Sequence, residues 1–172
     1  MAAGRGNRMI LDLKGIFDCE GYSRDLSYEF DMSDFDDQSG GFPFKEPVRV
    51  VAVVRNHAGV VELHAEARSD YFTQCDRCCA PLREQLDIVF DNVLVKEIAG
   101  EDDGGDIIVV KDEKLNLDEL VTTNIILNLP MKHLCSVSCK GLCPVCGKNL
   151  NDGDCKCNRS DDSPFSVLKN LK

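Results

Sequence analysis

The sequence has no tryptophan, few aromatic residues, no long apolar run and no excess of positive charge. Only 6% of its 172 residues are aromatic, and no apolar stretch approaches the roughly 18 residues that a membrane-spanning helix needs. Twenty Lys and Arg against thirty Asp and Glu give a formal charge of −10, which disfavours binding of duplex nucleic acid through a basic surface. The absence of a triplet or sustained heptad repeat excludes collagen-like and coiled-coil proteins.

The remaining composition is that of an acidic globular protein. Hydrophobic residues make up 43% of the chain, too many for an intrinsically disordered protein, and the length suits one core with at most one small additional module. Residues 1–130 carry 26 acidic and 13 basic side chains, whereas residues 131–172 carry four and seven. We therefore predict an acidic body at 9–130 and a tail at 131–172. Met9 is the expected natural start, and residues 1–8 are an N-terminal extension.

Ten cysteines are the unusual part of the composition, and six of them lie in the tail. No apolar segment of the kind found in secretion signals follows Met1–Arg8, so we expect a cytoplasmic protein. In a reducing compartment, clustered cysteines are more often metal ligands or redox centres than structural disulfides.

The body is predicted to be mainly β-structure. Apolar and polar residues alternate in segments 61–67 and 86–95, as expected for half-buried strands. A β-branched run at 48–55 precedes a turn-forming segment at 56–59, which predicts a hairpin. Shorter candidate strands lie at 9–13, 26–30 and 106–110. We predict an α+β protein whose antiparallel sheet is curled into a barrel-like form.

Two helices are predicted beside this sheet. Asn116 and Glu119 have the spacing of a capping box before an apolar stripe, which predicts a helix near 117–129 that Pro130 limits. A short helix is predicted from Pro164 to the C-terminus.

The tail contains the spacing of a zinc knuckle. In Cys143-Pro-Val-Cys146-Gly147, two thiols three residues apart precede a glycine that permits a tight turn with positive φ. Tetrahedral zinc needs four ligands, and a turn-rich stretch at 149–153 separates this pair from a second pair. The predicted primary metal site therefore consists of Cys143, Cys146, Cys155 and Cys157.

A second metal site is predicted from the other cysteine pairs, which would join the body to the tail. Its ligands would be Cys75, Cys78, Cys135 and Cys139, so the chain would bind one Zn²⁺ or two. The alternative is that Cys75-Asp-Arg-Cys78 is a surface turn; a thioredoxin-like motif is disfavoured because no helical pattern follows it. Cys19 and Cys79 are expected to be ordinary buried or half-buried residues, and His133 an unengaged surface residue. No catalytic arrangement is apparent, so we predict that the protein is not an enzyme.

Motifs along nearly the whole chain resemble those of one family. They are Ile10-Leu-Asp-Leu13, Cys75-Asp-Arg-Cys78, Leu117-Asp-Glu-Leu-Val121, Leu129-Pro-Met-Lys132, Leu134-Cys135, Cys139-Lys-Gly-Leu-Cys143-Pro-Val-Cys146-Gly-Lys-Asn-Leu-Asn151, Cys155-Lys-Cys157 and Phe165-Ser-Val-Leu-Lys-Asn-Leu171. The chain resembles the YceD family of large ribosomal RNA subunit accumulation proteins. It departs from the family at Asp162-Ser-Pro164, where Asp-Pro-Arg is usual. The resemblance implies a cytoplasmic bacterial or plastid factor without enzymatic activity.

The predicted function is therefore ribosome biogenesis with structural zinc. The acidic body would bind a basic large-subunit ribosomal protein or a pre-ribosomal particle. The tail would make weak rRNA contacts through Lys140, Lys148, Lys156 and Arg159. The alternative is a zinc-dependent thiol redox switch or redox-regulated chaperone. DNA is not an expected partner, because the spacing and recognition helix of DNA-binding zinc fingers are missing. A membrane is not expected either, because no apolar run is long enough to span one.

Overall fold

The computed structural model describes residues 8–36, 41–97 and 106–157. The chain divides into two compact units: Met1–Thr73 with Arg83–Met131, and Gln74–Leu82 with Lys132–Lys172. The second unit therefore contains the short segment Gln74–Leu82 in addition to the cysteine-rich tail. Most of the predicted N-terminal extension and all of the predicted helix at Pro164 lie outside the described residues.

The regular elements follow one another mostly as strands. In chain order they are β1 (Ile10–Asp12), α1 (Lys14–Asp18), β2 (Ser23–Phe30), β3 (Val48–His57), β4 (Val60–Gln74), β5 (Pro81–Val95), β6 (Ile107–Val109), β7 (Lys114–Asn116) and α2 (Leu117–Asn128). Short 3₁₀ turns occur at Lys111–Glu113 and Leu150–Asp152. This mixture confirms the predicted α+β class. No helix of the described part of the chain is long and apolar enough to cross a membrane.

The main sheet has the strand order β2-β3-β4-β5-β6. Its centre confirms the predicted alternation, because Ala52 of β3 lies opposite Ala65 of β4 and Val54 lies opposite Leu63, all of them buried. Glu62, between Val61 and Leu63, is exposed. One face of these strands therefore lies in the core, as the period of two requires.

The β3–β4 hairpin turns through two residues with positive φ, Ala58 at 51° and Gly59 at 83°. This is the backbone of a type I′ turn, whose twist matches that of paired strands. The buried Asn56 stabilises the turn by accepting a hydrogen bond from the Gly59 amide (3.2 Å). Its side-chain amide also donates to the Ile16 carbonyl (2.7 Å), which attaches α1 to the hairpin.

Helix α2 begins with the predicted reciprocal cap. The Asn116 side chain accepts from the Glu119 amide (3.3 Å) and donates to the Glu119 carboxylate (3.1 Å). Leu117, Val121 and Ile125, spaced four residues apart, are all buried. The cap and the buried stripe confirm the predicted helix.

The sheet differs from the prediction in closure and in strand direction. Within the described residues it is open, with β2 and β6 at its edges, so a barrel-like form is not confirmed. Strand β6 runs parallel to β5, and β1 pairs with β7 in a separate two-stranded sheet. Alternating hydrophobicity indicates that a strand exists but not which neighbour it pairs with, and both differences have this origin.

Candidate metal centre

The structure brings the predicted metal-ligating cysteines together in two groups, both inside the second unit. The first cluster consists of Cys75, Cys78, Cys135 and Cys139, and the second cluster of Cys143, Cys146, Cys155 and Cys157. In each cluster the four Sγ atoms lie within 4.8 Å of one another. These are two sites that could each hold a metal ion.

The sulfur spacings suit a tetrahedral ion. The Sγ atoms of Cys75 and Cys139 are 3.8 Å apart, those of Cys78 and Cys135 are 3.6 Å apart, and those of Cys143 and Cys155 are 3.3 Å apart. A Zn–S bond of about 2.3 Å places tetrahedral sulfurs about 3.8 Å from each other. The donor set therefore fits zinc in both number and spacing.

The two CxxC turns have the same backbone hydrogen bonds. The Cys75 amide donates to the Ala80 carbonyl and the Cys79 amide to the Cys75 carbonyl, both at 2.8 Å. The turn at Cys143–Cys146 has the same two bonds at the same separations. The Cys143 amide donates to the carbonyl five residues later, that of Lys148 (2.8 Å), and the Gly147 amide donates to the Cys143 carbonyl four residues earlier (2.9 Å). Cys75-Asp-Arg-Cys78 is therefore a zinc knuckle of the same kind as Cys143-Pro-Val-Cys146, the knuckle in the tail that Gly147 follows.

The residue after each knuckle has positive φ, at 72° for Gly147 and 56° for Cys79. Glycine adopts this conformation without steric cost, whereas a residue with a Cβ rarely does. Cys79 belongs to neither cluster and is exposed, as is Cys19. The expectation that these two cysteines are buried or half-buried was wrong, since both are exposed, but neither belongs to a cluster.

Backbone amides shift the pKa of one thiol in each knuckle. The Cys135 amide lowers the pKa of Cys75 to about 6, and the Cys146 amide lowers the pKa of Cys143 to about 6. A lowered pKa favours the thiolate, which is the form that binds metals.

Other thiols in the clusters shift in the opposite direction. The hydrogen bond with Cys139 raises the pKa of Cys135 to about 12, and that with Cys146 raises the pKa of Cys157 to about 12. Sulfurs this close cannot all be ionised without a cation among them, because like charges oppose one another's ionisation. A divalent cation would remove that repulsion.

Asp76 and Arg77, the two residues inside the first knuckle, attach it to the segment that carries the other ligands. The Asp76 amide donates to the His133 carbonyl (2.9 Å), and its carboxylate accepts from the His133 amide (2.7 Å). The Arg77 guanidinium donates to the Cys139 carbonyl (2.9 Å), and the Arg77 carbonyl accepts from the Leu142 amide (3.0 Å). Spacing alone did not predict these roles, because both residues have polar side chains typical of any turn.

Two further differences from the sequence prediction concern His133 and Asn151. His133 is 9% exposed, so its assignment as an unengaged surface residue was wrong; its backbone bonds to Asp76 hold it inside the second unit. Asn151, which the sequence pattern places only in a turn, donates its side-chain amide to the Cys139 sulfur (3.3 Å). A second-sphere donor of this kind stabilises the charged form of a thiol.

The two clusters differ in exposure. In the first cluster Cys75, Cys78 and Cys139 are buried and only Cys135 is exposed. In the second cluster only Cys143 is buried, while Cys155 and Cys157 are half-buried and Cys146 is exposed. The first cluster is therefore the better shielded from solvent and from competing ligands.

The fold and these clusters define a class: an α+β protein with an open sheet and a second unit built on two four-cysteine sites. The family described as large ribosomal RNA subunit accumulation protein YceD matches residues 63–172. The chain belongs to this family. The match includes all eight clustered cysteines, and it confirms the family resemblance inferred from the motifs.

Curated relatives include uncharacterized proteins of Mycobacterium bovis and Mycobacterium tuberculosis. Each is 29% identical over 83 residues, which is 45% of this chain and 39% of the relative. The chain thus spans well under half the length of the curated relatives that it matches. No solved structure matches the chain.

Proposed function

We propose that this protein is a non-enzymatic ribosome-biogenesis factor that supports accumulation of large-subunit rRNA and holds structural zinc in both cysteine clusters. The observation that carries the proposal is the family match over residues 63–172, which contains both clusters. The role in rRNA accumulation is taken from the name of the family, large ribosomal RNA subunit accumulation protein. The geometry of the clusters supports a structural role for the metal.

Zinc is the ion that best suits these ligands. Four cysteine sulfurs in tetrahedral spacing are typical of structural zinc or iron–sulfur sites, whereas calcium and magnesium require oxygen ligands. Bound zinc would neutralise the clustered thiolates and cross-link distant parts of the chain. Metal analysis of protein purified without chelator distinguishes zinc from iron and is expected to give two zinc per chain.

The acidic first unit supports a basic partner. With 25 acidic against 12 basic residues in its sequence, this unit carries a net charge of −13. A surface of this sign attracts a basic large-subunit ribosomal protein and repels bare rRNA. We propose that the first unit holds such a protein, in solution or on a pre-ribosomal particle, and that lysines of the second unit make the weaker rRNA contacts.

Depletion of the protein in its native cell tests the function. The expected result is a fall in large-subunit rRNA relative to small-subunit rRNA, which the wild-type gene restores. A gene carrying Cys75→Ser and Cys143→Ser should restore little, because each cluster loses a ligand. The matched control, Cys79→Ser, alters a neighbouring cysteine outside both clusters and should restore the ratio. An unchanged rRNA ratio on depletion would contradict the proposal.

A second candidate function, a thiol redox switch, is favoured by the exposure of Cys146 in the second cluster. Hydrogen peroxide would oxidise two thiolates to a disulfide. In the same step the peroxide would take up two protons and be reduced to two molecules of water, and the site, having lost two ligands, would release Zn²⁺. A titration with peroxide separates the candidates. Structural sites retain zinc at micromolar peroxide, whereas a switch releases one equivalent and regains it after reduction.

A further inference from the structure

The 3₁₀ turn Leu150–Asp152 lies in sequence between ligands of the second cluster but is bonded to a ligand segment of the first. The Asn151 side chain donates to the Cys139 sulfur (3.3 Å) and accepts from the Lys140 amide (2.8 Å). Beside it, the Leu150 amide donates to the Gly141 carbonyl (2.9 Å). The turn is therefore hydrogen-bonded to residues 139–141, which include a ligand of the first cluster, although the turn itself contains no ligand of that cluster.

The orientation of the Asn151 amide is fixed from within the turn. The Asn149 side-chain oxygen accepts both from the Asn151 backbone amide (3.0 Å) and from its side-chain amide (2.9 Å). The ends of the loop that carries this turn are the ligands Cys146 and Cys155. A metal at the second cluster would fix both ends and thereby reduce the conformational freedom of the turn.

We infer that Asn151 is a positioning residue through which the two clusters bind metal cooperatively. Metal at the second cluster orders the turn, the turn places the Asn151 amide on the Cys139 sulfur, and this hydrogen bond orients the sulfur as a ligand of the first cluster. Because coupling between two binding sites is reciprocal, metal at the first cluster strengthens the second by the same factor. This inference rests on the proposed metal role and adds the coupling between the sites.

The sharpest variant is Asn151→Asp. It keeps an oxygen that accepts from the Lys140 amide, but it removes the side-chain donor to Cys139 and to Asn149 and places a carboxylate oxygen near the sulfur. Loss of a second-sphere partner typically weakens metal binding about 10-fold to 100-fold. We expect the dissociation constant of the first cluster for Co²⁺ to rise at least about tenfold. The matched control is Asp152→Asn, an exchange at the next, exposed position, which should leave the constant unchanged.

A double-mutant cycle tests whether Asn151 transmits the coupling. Cys155→Ser with Cys157→Ser empties the second cluster and should weaken Co²⁺ binding at the first by a similar factor. Adding Asn151→Asp to this background should then have little further effect, because the turn no longer presents its amide. Effects that multiply, or an unaltered first cluster in either variant, would overturn the inference.

The measurements are the sulfur-to-cobalt charge-transfer absorbance for affinity and native mass spectrometry for the number of bound ions. A wild-type chain that binds no metal contradicts the proposed metal role. A wild-type chain that binds two ions independently overturns only the coupling. If the Asn151→Asp protein does not bind two ions at saturating metal but the Asp152→Asn protein does, the result supports the inference. If neither variant binds two ions, the inference is overturned.

Discussion

At the scale of single residues, the second unit depends on close backbone approaches around the first knuckle. Gly141 has a φ of +75°, and a Cβ built on it would lie 2.9 Å from the Arg77 carbonyl oxygen. The next amide, that of Leu142, donates to the same carbonyl (3.0 Å). The glycine therefore permits both the turn and the contact that holds Cys139 beside the knuckle.

We expect Gly141→Ala to destabilise the second unit by about 1–3 kcal/mol, because alanine is strained at positive φ and its Cβ would displace the Arg77 carbonyl. Zinc retention in a chelator competition and the denaturation midpoint measure the effect. The control is Gly15→Ala in α1, where a Cβ would meet nothing within 4 Å. Equal behaviour of the two variants would show that the close approach does not matter for stability.

At the scale of elements, α2 shows how local sequence and tertiary packing combine. Its cap is made by Asn116 and Glu119, which are three positions apart, and its buried stripe packs in the core. The capping box begins the helix at a defined residue, and the stripe determines which face is buried. Both properties come from short-range spacing.

Replacing Asn116 by alanine should lower the free energy of unfolding by about 1 kcal/mol, because the Glu119 amide loses its acceptor and the carboxylate its donor. Thermal or urea denaturation measures the difference. Thr123→Ala, at an exposed position of the same helix, is the control; it should be neutral or slightly stabilising, since alanine has the higher helix propensity. A larger loss at Thr123 than at Asn116 would argue against the capping role.

The two clusters are expected to lose metal in order. The second cluster is the more exposed, so a chelator should reach its ion first, and one equivalent should leave faster than the other. Cys155→Ser with Cys157→Ser should remove the fast phase. Cys75→Ser with Cys78→Ser should remove the slow phase. Release in one phase, or the reverse assignment of the two phases, would show that exposure does not control lability.

At the scale of the whole molecule, charge differs between the two units. The sequence of the second unit has a net charge of +3 without metal. Eight thiolates and two Zn²⁺ ions would together contribute −4, so the second unit loaded as proposed would have a net charge of −1. The rRNA contacts proposed for this unit would then depend on the placement of individual lysines and not on overall charge.

If the acidic first unit attracts a basic ribosomal protein as proposed, this binding should weaken steeply as salt rises, because salt screens the attraction. Isothermal titration at low and at physiological ionic strength measures this dependence. Bare rRNA is the comparison ligand and should bind more weakly at both. Tighter binding of rRNA than of the basic protein at physiological salt would contradict the proposed division of roles.

Metal at the first cluster would also cross-link the chain over a long interval, since Cys78 and Cys135 lie 57 positions apart. Cys75→Ser with Cys78→Ser should lose one zinc equivalent and expose residues 131–142 to protease, while the second cluster stays loaded at saturating zinc. Cys79→Ser should keep both equivalents. Unchanged zinc content in the double variant would show that these cysteines are not ligands.

The sequence alone was sufficient wherever the determining interactions are local. The hairpin at Ala58-Gly59, the cap at Asn116 and the knuckle at Cys143 each depend on residues within a few positions of one another, and spacing encodes such interactions. Tertiary structure decided what depends on residues distant in sequence: the parallel β6, the separate β1–β7 sheet, the burial of His133 and the bond from Asn151 to Cys139. Spacing cannot encode those features, because each requires the folded chain to bring its partners together.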